Sequence, residues 1–131
     1  MRKAPSYVII SLVFFILIGV GFAYSYFFYP NDHPLDCAIK AATGKDCPSC
    51  GFSRAFSNYT HFHFKEGRDF NSLSWPFFLF FSFQLFLRGA IVLIYLLKPK
   101  LISRSFVKIE LAISVLLFLS VALPLVLTFK I

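Results

Sequence analysis

Three long hydrophobic runs, separated by more polar segments, dominate the pattern of this 131-residue chain. They cover residues 7–29, 75–97 and 109–129, and the only charged residues inside them are Arg88 and Glu110. Each run is roughly 20 residues long, which at about 1.5 Å per residue suffices to cross a hydrocarbon core of about 30 Å. The pattern therefore predicts an all-α membrane protein with three transmembrane helices, forming a single membrane domain over residues 1–131.

The segment 30–72, between the first two runs, is predicted to be an extramembrane loop of short helices. One helix is expected to end at Gly44, where glycine is a common C-terminal stop. Another is expected from residue 51 to about 59, with its aromatic face in lipid at the membrane interface. A re-entrant arrangement of residues 51–64 is the alternative. Gly67-Arg68-Asp69 predicts a turn.

The first hydrophobic run follows Arg2 and Lys3, so a cleaved secretory signal has to be considered. The apolar stretch is longer than a signal core, and it ends in Tyr26-Phe-Phe-Tyr29-Pro30 rather than in a small-x-small cleavage site. We therefore expect an uncleaved membrane anchor.

The net charge of +7 does not indicate a nucleic-acid partner, because the basic residues cluster at the ends of the hydrophobic runs. They lie at Arg2 and Lys3 and in the segment 98–108, whereas the segment 30–72 has five basic and five acidic residues. By the positive-inside rule, the N-terminus and the segment 98–108 are expected on the cytoplasmic side of a bacterial inner membrane. The cysteine loop would then be periplasmic or extracellular.

All three cysteines, Cys37, Cys47 and Cys50, lie in the loop, and Cys47-Pro48-Ser49-Cys50 is a CxxC motif. One interpretation is a redox pair, with Cys47 as the attacking thiolate, Cys50 as the resolving thiol and Arg54 stabilising the thiolate. A second interpretation is a structural disulfide from Cys37 to Cys47 or Cys50, as is common in oxidising compartments. The pairing would leave one thiol over.

A zinc site is the third interpretation of these cysteines. The turn Cys-Pro-x-Cys-Gly occurs in zinc ribbons, and Cys37, Cys47 and Cys50 with one histidine would complete a tetrahedral site. The histidines available are His33, His61 and His63. The alternation of His and Phe over residues 61–64 favours a solvated interfacial segment. Zinc is therefore the one cofactor that the sequence suggests, and the three interpretations stay open.

Arg88 and Gln84 form a second candidate site, one helical turn apart in the second hydrophobic run. A charge inside the bilayer is costly and commonly marks function, which would suit a small transporter or channel component. The structural alternative is that Arg88 pairs with Glu110 or reaches phospholipid headgroups. Arg88 lies about 13 Å from the cytoplasmic end of its run, so pairing with Glu110 requires the helices to tilt.

At the cysteine loop, the sequence resembles the bacterial domain-of-unknown-function family 2752, whose members are small multi-pass membrane proteins. The family signature reads Cys, then Thr-Gly, then Cys-Pro-Gly-Cys-Gly-Leu-Thr-Arg-Ala, followed by a Gly-Asp turn and an Asn-Pro that enters the next helix. This chain matches it at Cys37, Thr43, Gly44, Cys47, Pro48, Cys50, Gly51, Arg54 and Ala55. It departs at Ser49, at Phe52-Ser53 and at Trp75. The resemblance implies a shared site at Cys37, Cys47, Cys50 and Arg54, gives no support to the histidines and names no activity.

The expected function is that of a non-enzymatic accessory protein or complex subunit, whose Cys/Arg loop is a structural or docking element. Three Phe-rich spans bury little within one monomer, so we expect membrane lipid and a homo-oligomer or larger membrane complex as partners. Two rivals remain from other classes. One is a membrane thiol–disulfide oxidoreductase that uses Cys47 and Cys50, and the other is a small transporter or channel component around Arg88.

Overall fold

A computed structural model describes residues 5–28, 38–44 and 51–129 of the chain. All regular secondary structure in these ranges is helical. In chain order the helices are α1 (Ser6–Phe27), α2 (Ala38–Thr43), α3 (Phe52–Thr60), α4 (Phe64–Phe70), α5 (Ser74–Leu97), a short 3₁₀ helix (Pro99–Leu101) and α6 (Arg104–Phe129).

Three of these helices, α1, α5 and α6, are long and apolar enough to cross a membrane. The predicted fold, three transmembrane helices with shorter helices between them, is therefore confirmed. Helix α6 begins at Arg104, five residues before the third predicted run at 109. The reason lies at Ser103, whose hydroxyl accepts a hydrogen bond from the Phe106 N–H at 3.2 Å and so caps the helix start.

Helix α5 is the central helix, because α1 and α6 each pack chiefly on it. On α1, the ring of Phe15 lies so close to Gly89 of α5 that a Cβ there would come within 3.0 Å of it. Helix α6 is attached differently, since Glu110 and Ser114 are its only buried residues in the described part of the chain. Most of the apolar side chains of α6 are exposed, as lipid allows, and Phe118 packs on Phe80 of α5.

Helices α3 and α4 form a hairpin that packs on the C-terminal end of α1 and the N-terminal end of α5. The predicted turn at Gly67-Arg68-Asp69 is wrong, since these residues lie inside α4. Gly67 is needed for close helix approach instead. A Cβ on it would come within 2.4 Å of the Tyr59 ring, which is a distance that no side chain tolerates.

The expectation that the aromatic face of α3 lies in lipid is also wrong for its most buried members. Ala55 and Tyr59 are fully buried inside the protein, and the Tyr59 hydroxyl is hydrogen-bonded to Ser74 at the start of α5, at 2.9 Å. Part of the polar face is buried as well, since Ser57 and Asn58 are buried and the Ser57 hydroxyl donates to the backbone carbonyl of Phe28 at the end of α1. Helix α3 is therefore docked on the bundle by two of its faces.

Candidate functional site

Each of the three long helices contributes one pair of polar residues, four positions apart, to the bundle interior. Because residues four apart lie on the same helix face, each pair forms a short polar strip in an otherwise apolar helix. The pairs are Tyr7 with Ser11 on α1, Gln84 with Arg88 on α5, and Glu110 with Ser114 on α6. We call these six residues the polar cluster.

Arg88 lies at the centre of the polar cluster. Its Nη2 is 3.1 Å from Oε1 of Glu110, and its Nη1 donates to Oε2 of Glu110 at 3.4 Å and to the hydroxyl of Ser11 at 3.2 Å. The two charged side chains are only 10% and 5% exposed. Arg88 thus links α5 to both other long helices, and its charge is balanced by Glu110.

The carboxylate of Glu110 has two donors on each oxygen. Besides Arg88, the Tyr7 hydroxyl donates to Oε2 at 2.6 Å and the Ser114 hydroxyl donates to Oε1 at 2.7 Å. Since this donation uses the only hydroxyl proton of Ser114, its oxygen accepts from Nε2 of Gln84 at 3.0 Å, which fixes the orientation of the Gln84 amide. A buried charge is tolerated when it is paired and hydrogen-bonded in this way.

The polar cluster borders a cavity of about 1090 Å³ between α1, α5 and α6, which reaches α3 at its other end. Gln84, Arg88 and Ser114 lie on its wall. The rest of the wall is mainly aromatic and aliphatic, so the polar groups stand at one place in an apolar chamber.

The structure describes only part of the site predicted in the cysteine loop. Cys37, Cys47, Cys50 and His33 lie outside the described residues, so the redox, disulfide and zinc hypotheses stay predictions. Gly51 follows the last cysteine and has a left-handed φ of +83°. A Cβ there would also come within 3.0 Å of the Phe70 carbonyl oxygen, so this position requires glycine.

Arg54 is exposed on α3, immediately before the fully buried Ala55. It does not line the cavity that Gln84 and Arg88 border. The structure therefore places the predicted site residues at two locations. Arg54 stands on the α3–α4 hairpin, and the Gln84–Arg88 pair stands in the polar cluster.

The two described histidines have separate surroundings. The ring of His61 stacks on Tyr26 at 5.0 Å between centroids, and its Nδ1 is hydrogen-bonded to the Ser57 carbonyl at 2.7 Å. His63 is exposed. Across residues 5–28, 38–44 and 51–129, no group of three or more His, Cys, Asp or Glu side chains could hold a metal ion.

Sequence reasoning named Gln84 and Arg88 and weighed Glu110 as a partner, but it missed Tyr7, Ser11 and Ser114. The missing signal is their spacing. Ser11 lies four residues after Tyr7, and Ser114 lies four residues after Glu110, as Arg88 lies four residues after Gln84. A search for such polar pairs in each hydrophobic run would have assembled the cluster.

In the comparisons with known proteins, one family model matches a segment of the chain. No curated protein and no solved structure matches the chain. The matched family segment runs from residue 37 to residue 85, so it includes α2, α3, α4 and the first half of α5. It contains Arg54 and Gln84 and leaves out Arg88. Residues 37–85 match the family described as "Protein of unknown function (DUF2752)", and the resemblance drawn from the cysteine loop is thereby confirmed.

Proposed function

We propose that this multi-pass membrane protein is a non-enzymatic subunit of a membrane complex, and that Arg54 on α3 contacts an acidic surface of a partner protein. The observation that carries the proposal is the contrast between two adjacent residues. Ala55 is 0% exposed against the bundle, whereas Arg54 beside it is exposed. The family signature includes both residues.

The anchoring of α3 supports a docking role. The Ser57 hydroxyl donates to the Phe28 carbonyl of α1, and the Tyr59 hydroxyl is hydrogen-bonded to Ser74 of α5. A side chain on such a fixed helix loses less conformational entropy on binding than one on a mobile loop. Arg54 is therefore presented by a preorganised element.

The chemistry of the partner follows from the guanidinium group. Within the described part of the chain, Arg54 forms no ion pair, so its charge is available to another molecule. The planar fork of Arg donates two parallel hydrogen bonds to a carboxylate, which gives geometry as well as charge. We infer that the partner surface carries Asp or Glu opposite Arg54.

The proposed orientation in a bacterial inner membrane has the N-terminus in the cytoplasm and the cysteine loop outside. Four exposed basic residues support it at the end of the bundle opposite α3, namely Lys98, Lys100, Arg104 and Lys108. By the positive-inside rule this end is cytoplasmic.

Three spans that start in the cytoplasm place the C-terminus outside. Alkaline phosphatase, which is active only outside the cytoplasm, should therefore be active when it is fused after Ile131. The orientation would be contradicted if the phosphatase fusion were inactive and a separate fusion of green fluorescent protein at the same point were fluorescent.

The test of the docking role is site-specific crosslinking in native membranes. A photoreactive residue in place of Arg54 should form one discrete adduct, whereas the same residue in place of the exposed Lys65 on α4 should not. Peptide mapping of the adduct should locate acidic residues of the partner. Replacing such a residue by Lys should restore the complex in an Arg54→Glu variant. Equal adducts at both positions, or failure of the charge swap, would contradict the proposal.

A further inference from the structure

The polar cluster leaves two polar atoms unused on the cavity wall. In the residues that the structure describes, neither the Nε–H of Arg88 nor the Oε1 of Gln84 has a hydrogen-bond partner. Both residues line the cavity, and neither of these two atoms is fully enclosed by protein. One donor and one acceptor are therefore partly accessible on two cavity-lining residues, Arg88 and Gln84, that are only 8% and 5% exposed.

Unmet donors and acceptors in apolar surroundings are costly, and a ligand that satisfies them gains affinity and orientation. The size of the cavity fits such a ligand. Its volume of about 1090 Å³ is slightly above the usual range of small-molecule sites, which is about 300–1,000 Å³, and leaves room for a long hydrocarbon chain. Its walls include the rings of Phe14, Phe80 and Phe118, which would contact a hydrocarbon chain.

The charge balance of the cluster restricts the polar head of the ligand. The guanidinium of Arg88 is paired with Glu110, so the site has no net charge to attract an anion. The depth of Arg88 in the membrane also disfavours a phosphate-containing head group. Arg88 lies about 13 Å from the end of α5, below the level of the lipid phosphates. An uncharged head group that accepts or donates a hydrogen bond is what remains.

We propose that this cavity binds an uncharged amphiphile, with its hydrocarbon chain against the aromatic walls and an oxygen of its head group between Arg88 and Gln84. A carbonyl oxygen would accept from the Nε–H of Arg88. A hydroxyl would in addition donate to Oε1 of Gln84. Membranes offer this chemistry in two forms, a quinone ring with carbonyl oxygens and a diacylglycerol with a free hydroxyl. The site is separate from Arg54 and does not depend on the docking role.

The proposal can be tested by native mass spectrometry of the full-length protein purified in detergent. The probes are a decyl-substituted benzoquinone, dioleoylglycerol and, as an anionic comparison, dioleoylphosphatidylglycerol. We expect at least one neutral probe to bind with one-to-one stoichiometry and in preference to the anionic lipid. Gly21→Leu should weaken this binding at least tenfold, because Gly21 lines the cavity and a Cβ there meets no other atom within 4 Å, so the longer side chain takes up cavity space.

A second variant distinguishes the two head groups. Gln84→Leu should weaken dioleoylglycerol binding about tenfold, the effect of one lost buried hydrogen bond, and should leave quinone binding within a factor of three. Ser120→Ala is the matched control, since Ser120 is an exposed residue of α6 that does not line the cavity. Preference for the anionic lipid, absence of any neutral-probe binding, or equal binding by wild type and a folded Gly21→Leu variant would overturn the proposal.

Discussion

The guanidinium of Arg88 and the carboxylate of Glu110 form a buried ion pair, 3.1 Å from nitrogen to oxygen, that holds α6 to α5. The relationship matters because α6 buries little else within the described structure. Apolar packing gives little net drive for helix association in lipid, where hydrocarbon surrounds the helices in any case. The position of α6 is therefore set mainly by the polar cluster.

Glu110→Ala should destabilise the protein strongly, because it leaves the guanidinium of Arg88 buried without a counter-charge. The expected loss in free energy of unfolding is about 3 kcal/mol, which is typical of breaking one side of a buried pair. It can be measured by denaturant titration in detergent micelles, followed by the loss of helical circular dichroism.

Two comparisons make the ion-pair prediction specific. The double variant Arg88→Met with Glu110→Leu should be more stable than Glu110→Ala alone, since it removes both charges. Lys108→Ala, at an exposed position of α6, should change stability by less than about 0.5 kcal/mol. If Glu110→Ala were as stable as Lys108→Ala, the ion pair would not hold the helices together.

Gly67→Ala should destabilise the α3–α4 hairpin by about 2 kcal/mol through overpacking. The added methyl group would lie 2.4 Å from Cε1 of Tyr59, whose ring is fully buried and whose hydroxyl is hydrogen-bonded to Ser74. Gly21→Ala is the control, because its Cβ meets nothing within 4 Å. Thermal unfolding of the two variants compares them directly, and equal midpoints would refute the close contact.

Gly51→Ala and Gly44→Ala separate backbone strain from steric contact. Both glycines have positive φ, at +83° and +72°, so each alanine should cost about 1 kcal/mol from conformation alone. At Gly51 the methyl group also comes within 3.0 Å of the Phe70 carbonyl oxygen, whereas at Gly44 it meets open space. Gly51→Ala should therefore be the less stable variant in the same unfolding assay. The reverse order would contradict the placement of Gly51.

The state of the three cysteines can be read from intact mass after thiol alkylation, with and without denaturant. One labelled thiol and no metal would indicate a disulfide, and peptide mapping would tell the Cys47–Cys50 pair from a bridge to Cys37. A mass increment of one zinc, with the thiols protected only in the native protein, would indicate the metal site.

The docking role predicts that Cys47→Ser lowers the stability of the protein or the formation of its complex, and that no enzymatic turnover is lost. Loss of a measurable thiol–disulfide exchange activity in this variant would favour the oxidoreductase.

Hydrophobic patterning was sufficient to predict the three long helices, because each is a run of about 20 apolar residues with at most one charge. The prediction for α4 was wrong, because Gly-Arg-Asp is typical of a turn. The same three residues also fit a helix when the glycine is needed for close packing. Only the position of the Tyr59 ring reveals why Gly67 lies in a helix.

The candidate site shows the same limit. Arg88 and Gln84 were recognisable because charged and amide side chains are rare in membrane helices. The pairing of Arg88 with Glu110 depends on how three helices cross, which no local pattern of a single helix contains. The contribution of Tyr7 follows from the same crossing, since its hydroxyl reaches Glu110 from a helix 103 positions away in sequence.

The most direct test of the proposed docking role is the mass of the complex in native membrane nanodiscs, measured for wild type, Arg54→Glu and the control Lys65→Glu. We expect wild type and Lys65→Glu to share one mass larger than the monomer, and Arg54→Glu to shift to the mass of the protein without its partner. All three proteins at the same mass, whether monomeric or assembled, would contradict the claim that Arg54 is the docking residue.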